Sequence, residues 1–384
     1  LYSRIVTAHI FENLYNYDHL ARPAKIRPVI AEGPAAHSAD FRTWTVKIKR
    51  GIFFADDPAF KGKRRELTAA DFVYAVKRFV DPANKSPASS NVIDLTLIGL
   101  GALRERALKD RAPFDYDTEI EGLRALDRTT IQYKLEQPRP RFVESPLTSH
   151  DLFGAVAREV VEAYGEDIPA HPVGTGPFRL VQWRRSSLIV LEKNPAYREV
   201  FYEAEPAADD AEGRAFVERF KGRRLPMIDR VEVSIIEESQ PHWLGFLSGQ
   251  IDFVNVPLEF ANQALPGGRL APHLAKRGLR LRREMAADSA YTYFNMEDPV
   301  VGGYTPERVA LRRAIALAMN VPREIGVVRR SQAIPAQSPI VPHTSGYDPA
   351  FKSEMGDHDP QRAKALLDLY GYNDRDGDGF RERP

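Results

Sequence analysis

Asp374, Asp376 and Asp378, with Gly379 behind them, place oxygen ligands at the first, third and fifth positions of a loop and glycine at the sixth. That is the opening of an EF-hand calcium loop, whose bidentate glutamate at the twelfth position would here fall at 385, after Pro384. Gly371 already ends the helix that would have to enter such a loop, so the segment reads as a polar turn and no metal is assigned. Two adjacent carboxylate pairs, Asp56 with Asp57 and Asp209 with Asp210, could move protons, but neighbouring acids in polar loops are ordinarily just solvated. No G-x-S-x-G, H-E-x-x-H or G-x-x-x-x-G-K-[ST] occurs, and the nine histidines form no pair at metal-ligand spacing. Gly99 with Gly101, and Gly302 with Gly303, are too short for a dinucleotide fingerprint. Zero cysteines exclude disulfides, thiolate metal sites and a cysteine nucleophile, and suit an oxidising compartment. No catalytic residue, no cofactor and no enzyme activity are expected.

Charge removes another class of function. Fifty-four Lys and Arg nearly cancel 53 Asp and Glu, which leaves no electrostatic case for nucleic acid. The basic clusters, Lys61, Lys63, Arg64 and Arg65, and Arg277, Arg280, Arg282 and Arg283 around an expected strand, read as solvated faces. At 384 residues the chain exceeds one typical domain, and no apolar run approaches the ~20 residues of a transmembrane helix.

The elements that would position any site follow from periodicity. Trp44, Val46 and Ile48 alternate with Thr45, Lys47 and Lys49, the pattern of a half-buried strand. Thr68 is a natural N-cap with Asp71 three residues on, and Phe72, Val73, Val76 and Phe79 make one helical stripe that Asp81 and Pro82 stop. Ile131, Tyr133 and Leu135 mark a second strand; Val231, Val233 and Ile235 mark a third. Thr305 and Pro306 open a helix whose apolar face runs over 309–319, and Asp359 and Pro360 open another ending at Gly371. Residues 83–91 and 203–224 read as surface loops. Strands and helices are mixed, so the class is α/β or α+β.

Four motifs in fixed order add a resemblance. Residues 44–82 carry a strand, a polar loop, the T-A-x-D-F-V-Y run from Thr68 to Tyr74, and a helix ending in Asp-Pro. Downstream come Gly174-Thr175-Gly176-Pro177-Phe178 with Glu192-Lys193-Asn194-Pro195-Ala196-Tyr197, then Ser248-Gly249-Gln250-Ile251-Asp252, then the R-x-A run around Arg312 and Ala314. Glu12-Asn13-Leu14-Tyr15 matches an E-x-L-Y segment ahead of them. This order resembles the extracellular solute-binding proteins of ABC importers, family 5, the oligopeptide/dipeptide/nickel-binding group. The glycines and proline of the second motif suit a tight entry into a strand rather than phosphate binding.

The resemblance implies an α/β, two-lobe periplasmic-binding-protein-like fold with a hinge and an extra subdomain in lobe one. By landmark, 1–31 and 170–274 fall to lobe one, 32–169 to the extra subdomain, and 275–384 to the hinge crossing and a truncated lobe two. Only eleven residues stand ahead of Glu12, so the family's opening strand is expected to be cut short as well. The implied function is a solute-binding component that encloses peptides or similar-sized organic solutes by hinge closure and delivers them to a membrane permease. Tyr2, Ser86, Asn255, Tyr291, Tyr293 and Asn295 are the expected ligand residues, aromatic hydroxyls offering an apolar face with a polar tip. For Tyr291, Tyr293 and Asn295, on a strand-like run, core packing is the alternative; Trp183 and Trp243 are read as core. Ala88 departs from the aromatic that often follows the Ser-Pro turn in peptide binders. Implied too are a monomer, no nucleic acid, and a periplasmic or extracytoplasmic location, with a lipid anchor carried on a segment outside the chain. A non-peptide ligand in the same family (sugar oligomer, metal chelate or haem-like molecule) is the alternative; further off stand a carboxylate enzyme and a ligand-free scaffold.

Overall fold

In the computed structural model, which describes every residue except 1, 2, 150–152, 287 and 355, the chain divides into two units, Leu1–Ile235 and Ile236–Pro384. The first opens with β1 (Tyr15–Tyr17) paired antiparallel to β2 (Ile26–Pro28). A four-stranded antiparallel sheet follows, β3 (Ala36–His37), β4 (Thr43–Lys47), β5 (Leu123–Ala125) and β6 (Thr130–Lys134), in the order β3-β4-β6-β5. Trp44 faces Tyr133 and Val46 faces Ile131 across β4 and β6, so the alternation seen in both segments turns four buried side chains to one side.

Phe72, Val76 and Val80 of the Ala69–Val80 helix join those strands in one core. Fully burying each such side chain is worth about 1.5–3 kcal/mol. The helix starts where it does because Asp71 takes the Thr68 N–H at 2.7 Å and the Thr68 hydroxyl at 2.8 Å. Arg65 clamps the same carboxylate at 2.6 and 3.1 Å. At the far end Asp81 accepts the Ala83 N–H at 2.9 Å and starts the Pro82–Asn84 turn.

A second sheet, β7 (Phe178–Arg184), β8 (Leu188–Lys193) and β9 (Arg230–Ser234), is antiparallel in that order. Its entry explains the G-T-G-P motif. The Gly176 N–H donates to the Ile10 carbonyl at 2.8 Å, and a Cβ at Gly174 would stand 2.0 Å from that same oxygen. Only glycine lets the two backbones approach so closely. Buried Asn194, from the N-P-x-Y motif, donates to the Gly176 carbonyl at 2.9 Å, and Glu12 accepts from Thr175, Tyr197 and Arg198. The E-x-L-Y, G-T-G-P and N-P-x-Y landmarks therefore meet in one buried knot.

Three expectations for this unit need correcting. Residues 203–224 hold the Ala211–Phe220 helix, capped by Asp210 accepting the Gly213 N–H at 2.8 Å. Polarity made the segment look like a loop, yet Ala, Glu and Arg are good helix formers. Phe216 and Phe220 also pack edge-to-face with Tyr202, with ring centroids 5.9 and 6.2 Å away. Residues 83–91 likewise end in a short helix, Ser89–Ile93. Trp183 is not core: it lies on β7 beyond the residues packed around Ile10, with Arg185 over its ring.

The second unit is helical. Trp243, in the Ser239–Leu247 helix, is buried between Phe246 and Phe260 at 5.6 and 5.8 Å, and Gly249 ends that helix with φ +81°. Thr305 and Pro306 open the Pro306–Ala318 helix, whose Ala314 and Leu317 pack on Ala363 of the Pro360–Leu369 helix. Asp359 caps the latter by accepting the Arg362 N–H at 2.9 Å. Among the described residues of this unit no strand forms, so the strands expected around Arg280 and over 291–295 are absent. Among the described residues no strand pairs with those extended stretches, and an unpaired backbone keeps its hydrogen bonds for water. Among the described residues no helix is long and apolar enough to cross a membrane.

Candidate ligand-binding site

Tyr291 and Tyr293, two of the expected ligand residues, are exposed at 76% and 80%. They are two apart on an extended run and turn to the same side, with ring centroids 6.4 Å apart and planes tilted by 55°. Neither ring packs in a core of this structure. The pair offers two aromatic faces with hydroxyls that have no hydrogen-bond partner among the described residues.

Asn255 is exposed by alternation: Val254 and Val256 pack toward the Trp243 cluster, which turns the asparagine outward. Asn295 is exposed too, but its side-chain oxygen accepts the Glu297 N–H at 3.1 Å, which gives it a part in a turn. In the first unit, half-buried Ser86 accepts the Ala88 N–H at 3.3 Å, leaving its hydroxyl proton to donate elsewhere. Tyr2 lies outside the described residues.

Sequence reasoning treated Arg312 only as a landmark and passed over Arg308. Both reach back from the Pro306–Ala318 helix to backbone carbonyls of the loop that follows the tyrosines. The R-x-A motif carried the signal for Arg312, but nothing in the pattern says what such an arginine holds.

The acidic groups weighed for other chemistry have structural work. Asp57 accepts the Ala59 N–H at 2.9 Å and the Tyr164 hydroxyl at 3.1 Å, and Asp210 is the helix cap already described. In the terminal turn Asp374 accepts the Gly379 N–H at 3.0 Å, Asp378 that of Phe380 at 2.7 Å, and Glu382 that of Arg375 at 2.7 Å. One oxygen from each of Asp374, Asp376, Asp378 and Glu382 lies within 4.8 Å of the others. Glu382 is the ninth residue of that loop. A groove of about 310 Å³ between the Pro306–Ala318 and Pro360–Leu369 helices, lined by Ala314, Ala363 and Leu367, contains none of the expected ligand residues.

Comparison with known proteins agrees with this architecture. Residues 25–384 match the family model of bacterial extracellular solute-binding proteins, family 5 Middle. The chain is 24% identical over 371 residues to the glutathione-binding protein GsiB of Escherichia coli O157:H7, covering 96% of this chain and 57% of that one. It is 25% identical over 349 residues to di/tripeptide-binding protein 2 of Pseudomonas aeruginosa, covering 90% and 55%. The chain thus spans less than two thirds of the length of either relative. Among solved structures it resembles the murein tripeptide-binding protein MppA of Escherichia coli, with TM-score 0.65 and 21% identity over 97% of this chain and 63% of that one. It also resembles the oligopeptide-binding protein AppA of Bacillus subtilis, solved with a nonapeptide, with TM-score 0.64 and 17% identity over 99% and 62%. A mixed helix and sheet fold shared with periplasmic oligopeptide-binding proteins, joined to a family match over nearly the whole length, leaves one conclusion: the chain belongs to family 5 of the bacterial extracellular solute-binding proteins.

Proposed function

We propose that this chain is part of the solute-binding component of an ABC importer, which captures peptides or similar-sized organic solutes outside the cytoplasm and passes them to a membrane permease without breaking a bond. The observation that carries the reading is the exposed pair Tyr291 and Tyr293 in a chain of this family. Two adjacent aromatic faces with free hydroxyls suit a ligand that is apolar along its flanks and polar along its backbone, as a peptide is. Relatives named for glutathione and for di- and tripeptides favour a short peptide over a metal chelate or haem. Asn255, in the same unit as the tyrosines, would add a polar contact. Ligand that binds the closed form better than the open one shifts the population toward closure, and the closed form is what the permease would recognise. The protein would act as a monomer in the periplasm or on the outer face of the membrane, where a lipid anchor could hold it.

Native mass spectrometry of the full-length protein secreted to the periplasm, followed by denaturing release, tests this. Mixed short peptides establish the reading. One discrete non-peptide mass keeps the importer and changes the solute. An empty protein that gains no thermal stability from a peptide library overturns it, because ligand at a hundred times its Kd must stabilise by about 2.7 kcal/mol.

A further inference from the structure

The loop 295–303, which joins the tyrosine run to the Pro306–Ala318 helix, is closed upon itself. The Gly303 N–H donates to the Met296 carbonyl and the Gly302 N–H to the Asp298 carbonyl, both at 2.9 Å. Asp298 accepts the N–H groups of Val300 and Val301 at 2.8 and 2.9 Å, which holds its carboxyl below the usual carboxylate range. Space is tight: a Cβ at Gly302 would stand 2.3 Å from the Met296 carbonyl oxygen, and Gly303 has φ +75°. Closure of this loop is what the Gly302-Gly303 pair serves.

Those bonds leave the carbonyls of Pro299, Val301 and Gly302 without a donor inside the loop, and two arginines take them. Arg308 donates from Nη2 to Pro299 at 2.8 Å and from Nη1 to Gly302 at 3.2 Å. Arg312 donates from Nη1 to Val301. Four residues apart, the two share one helix face. Neither is in a salt bridge among the described residues, so the loop is what engages their guanidinium groups.

We propose that Arg308 and Arg312 are positioning residues for ligand capture, pinning the loop so that Tyr291 and Tyr293 are held ready for the ligand. The proposal rests on the reading that those tyrosines meet the ligand. Met296, where the loop closes, is three residues from Tyr293, so an unpinned loop loosens the tyrosine run, and a site that must be ordered on binding binds more weakly. Arginine and lysine are not equivalent here. Arg308 spans two carbonyls with its planar fork, which lysine lacks, whereas Arg312 serves one carbonyl, which an ammonium can also reach.

The test uses the full-length protein labelled with 3-fluorotyrosine, in the variants R308A, R308K, R312A and R312K. Three readings are taken: fluorine resonances of Tyr291 and Tyr293, assigned with Tyr→Phe variants; hydrogen exchange of the Gly302 and Gly303 amides; and calorimetric affinity for glutathione and trialanine. Either alanine variant should shift and broaden both resonances and speed amide exchange roughly tenfold, the loss of about one hydrogen bond. Affinity for the probe that wild type binds should fall by a similar factor, with Tm nearly unchanged. R312K should restore all three readings and R308K should not. Unchanged resonances and exchange in both alanine variants would overturn the proposal, as would wild-type affinity in the face of a loosened loop. If R312A does not fold, R308K carries the same comparison. If wild type binds neither probe, it is the ligand reading that suffers, while the ligand-free resonances and exchange still decide whether the arginines position the tyrosines.

Discussion

Glu12 and Arg198 form a two-pronged ion pair, Nη1 to Oε2 at 2.6 Å and Nη2 to Oε1 at 2.9 Å, with both side chains largely removed from water. The same carboxylate accepts the hydroxyls of Thr175 at 2.9 Å and Tyr197 at 3.3 Å. It thus ties the N-terminal segment to the entry of β7 and the exit of β8, more than 160 residues further along the chain. Such a pair gains little over a well-packed apolar replacement, but breaking it strands a charge in the interior. Glu12→Ala is expected to cost about 3–5 kcal/mol, read as a lower midpoint in urea with an unchanged slope. A loss below about 0.5 kcal/mol would show that Arg198 finds water or another partner.

Gly174 makes an independent demand on the same knot. An added methyl would meet the Ile10 carbonyl oxygen at 2.0 Å, a backbone atom that cannot swing aside as the end of a flexible side chain could. Gly174→Ala should therefore destabilise the first unit by about 1–3 kcal/mol or more, the cost of overpacking. Gly101, with open space where its Cβ would sit, is the control: Gly101→Ala lies inside the Leu100–Asp110 helix and should stabilise by about 0.5–1 kcal/mol. Equal melting temperatures for the two variants would refute this account of the motif.

Asp18 should set part of the acid limit of stability. Burial pushes its carboxyl up, but the N–H groups of Leu20 and Glu205, the charge of Arg27 and the N–H of Ala21 outweigh it, and the pKa ends below the ordinary 3.8. A carboxyl depressed on folding stabilises the native state above its unfolded pKa, and that stabilisation is lost as pH falls through the folded value. Asp18→Asn should melt below wild type at neutral pH, and the gap should be constant down to about pH 5 and close under about pH 4. A gap that widened on acidification would contradict the sign.

How far the fold could be read beforehand depended on whether the deciding contacts were local. Thr68, Asp71 and the apolar stripe behind them are spaced within one helix, and the alternations at Trp44 and Ile131 within one strand, so pattern alone placed them correctly. The ordered motifs identified the family, yet not that Glu12, Thr175, Asn194 and Arg198 meet, since a contact across more than 160 residues leaves no trace in spacing. Polarity misled at 203–224, where a helix needed only Asp210 as cap and Tyr202 as a surface to pack on. The strand-like runs near Arg280 and Tyr291 have the right alternation, but a strand is a property of two segments and the described chain pairs nothing with them. Of the candidate site, the residue types were legible. That Asn295 is spent on a turn, and that Arg308 and Arg312 hold the loop beside it, could be seen only once the backbone was in place.

Replacing Tyr293 separates the ligand reading from the structural one. At 80% exposure its ring packs on little beyond Tyr291, so truncation removes almost no buried area. Tyr293→Ala should leave folding stability within about 0.5 kcal/mol of wild type. If the tyrosine stacks on bound ligand, the same change removes an aromatic contact worth about 0.5–1.5 kcal/mol beyond its area and weakens binding of whatever copurifies with the protein by roughly tenfold. Tyr293→Phe should keep most of the affinity if the ring face does the binding, and lose it if the hydroxyl does. Calorimetric titration of the three proteins, each stripped of ligand by denaturation and refolding, decides between them. Identical affinity in all three would remove Tyr293 from the site.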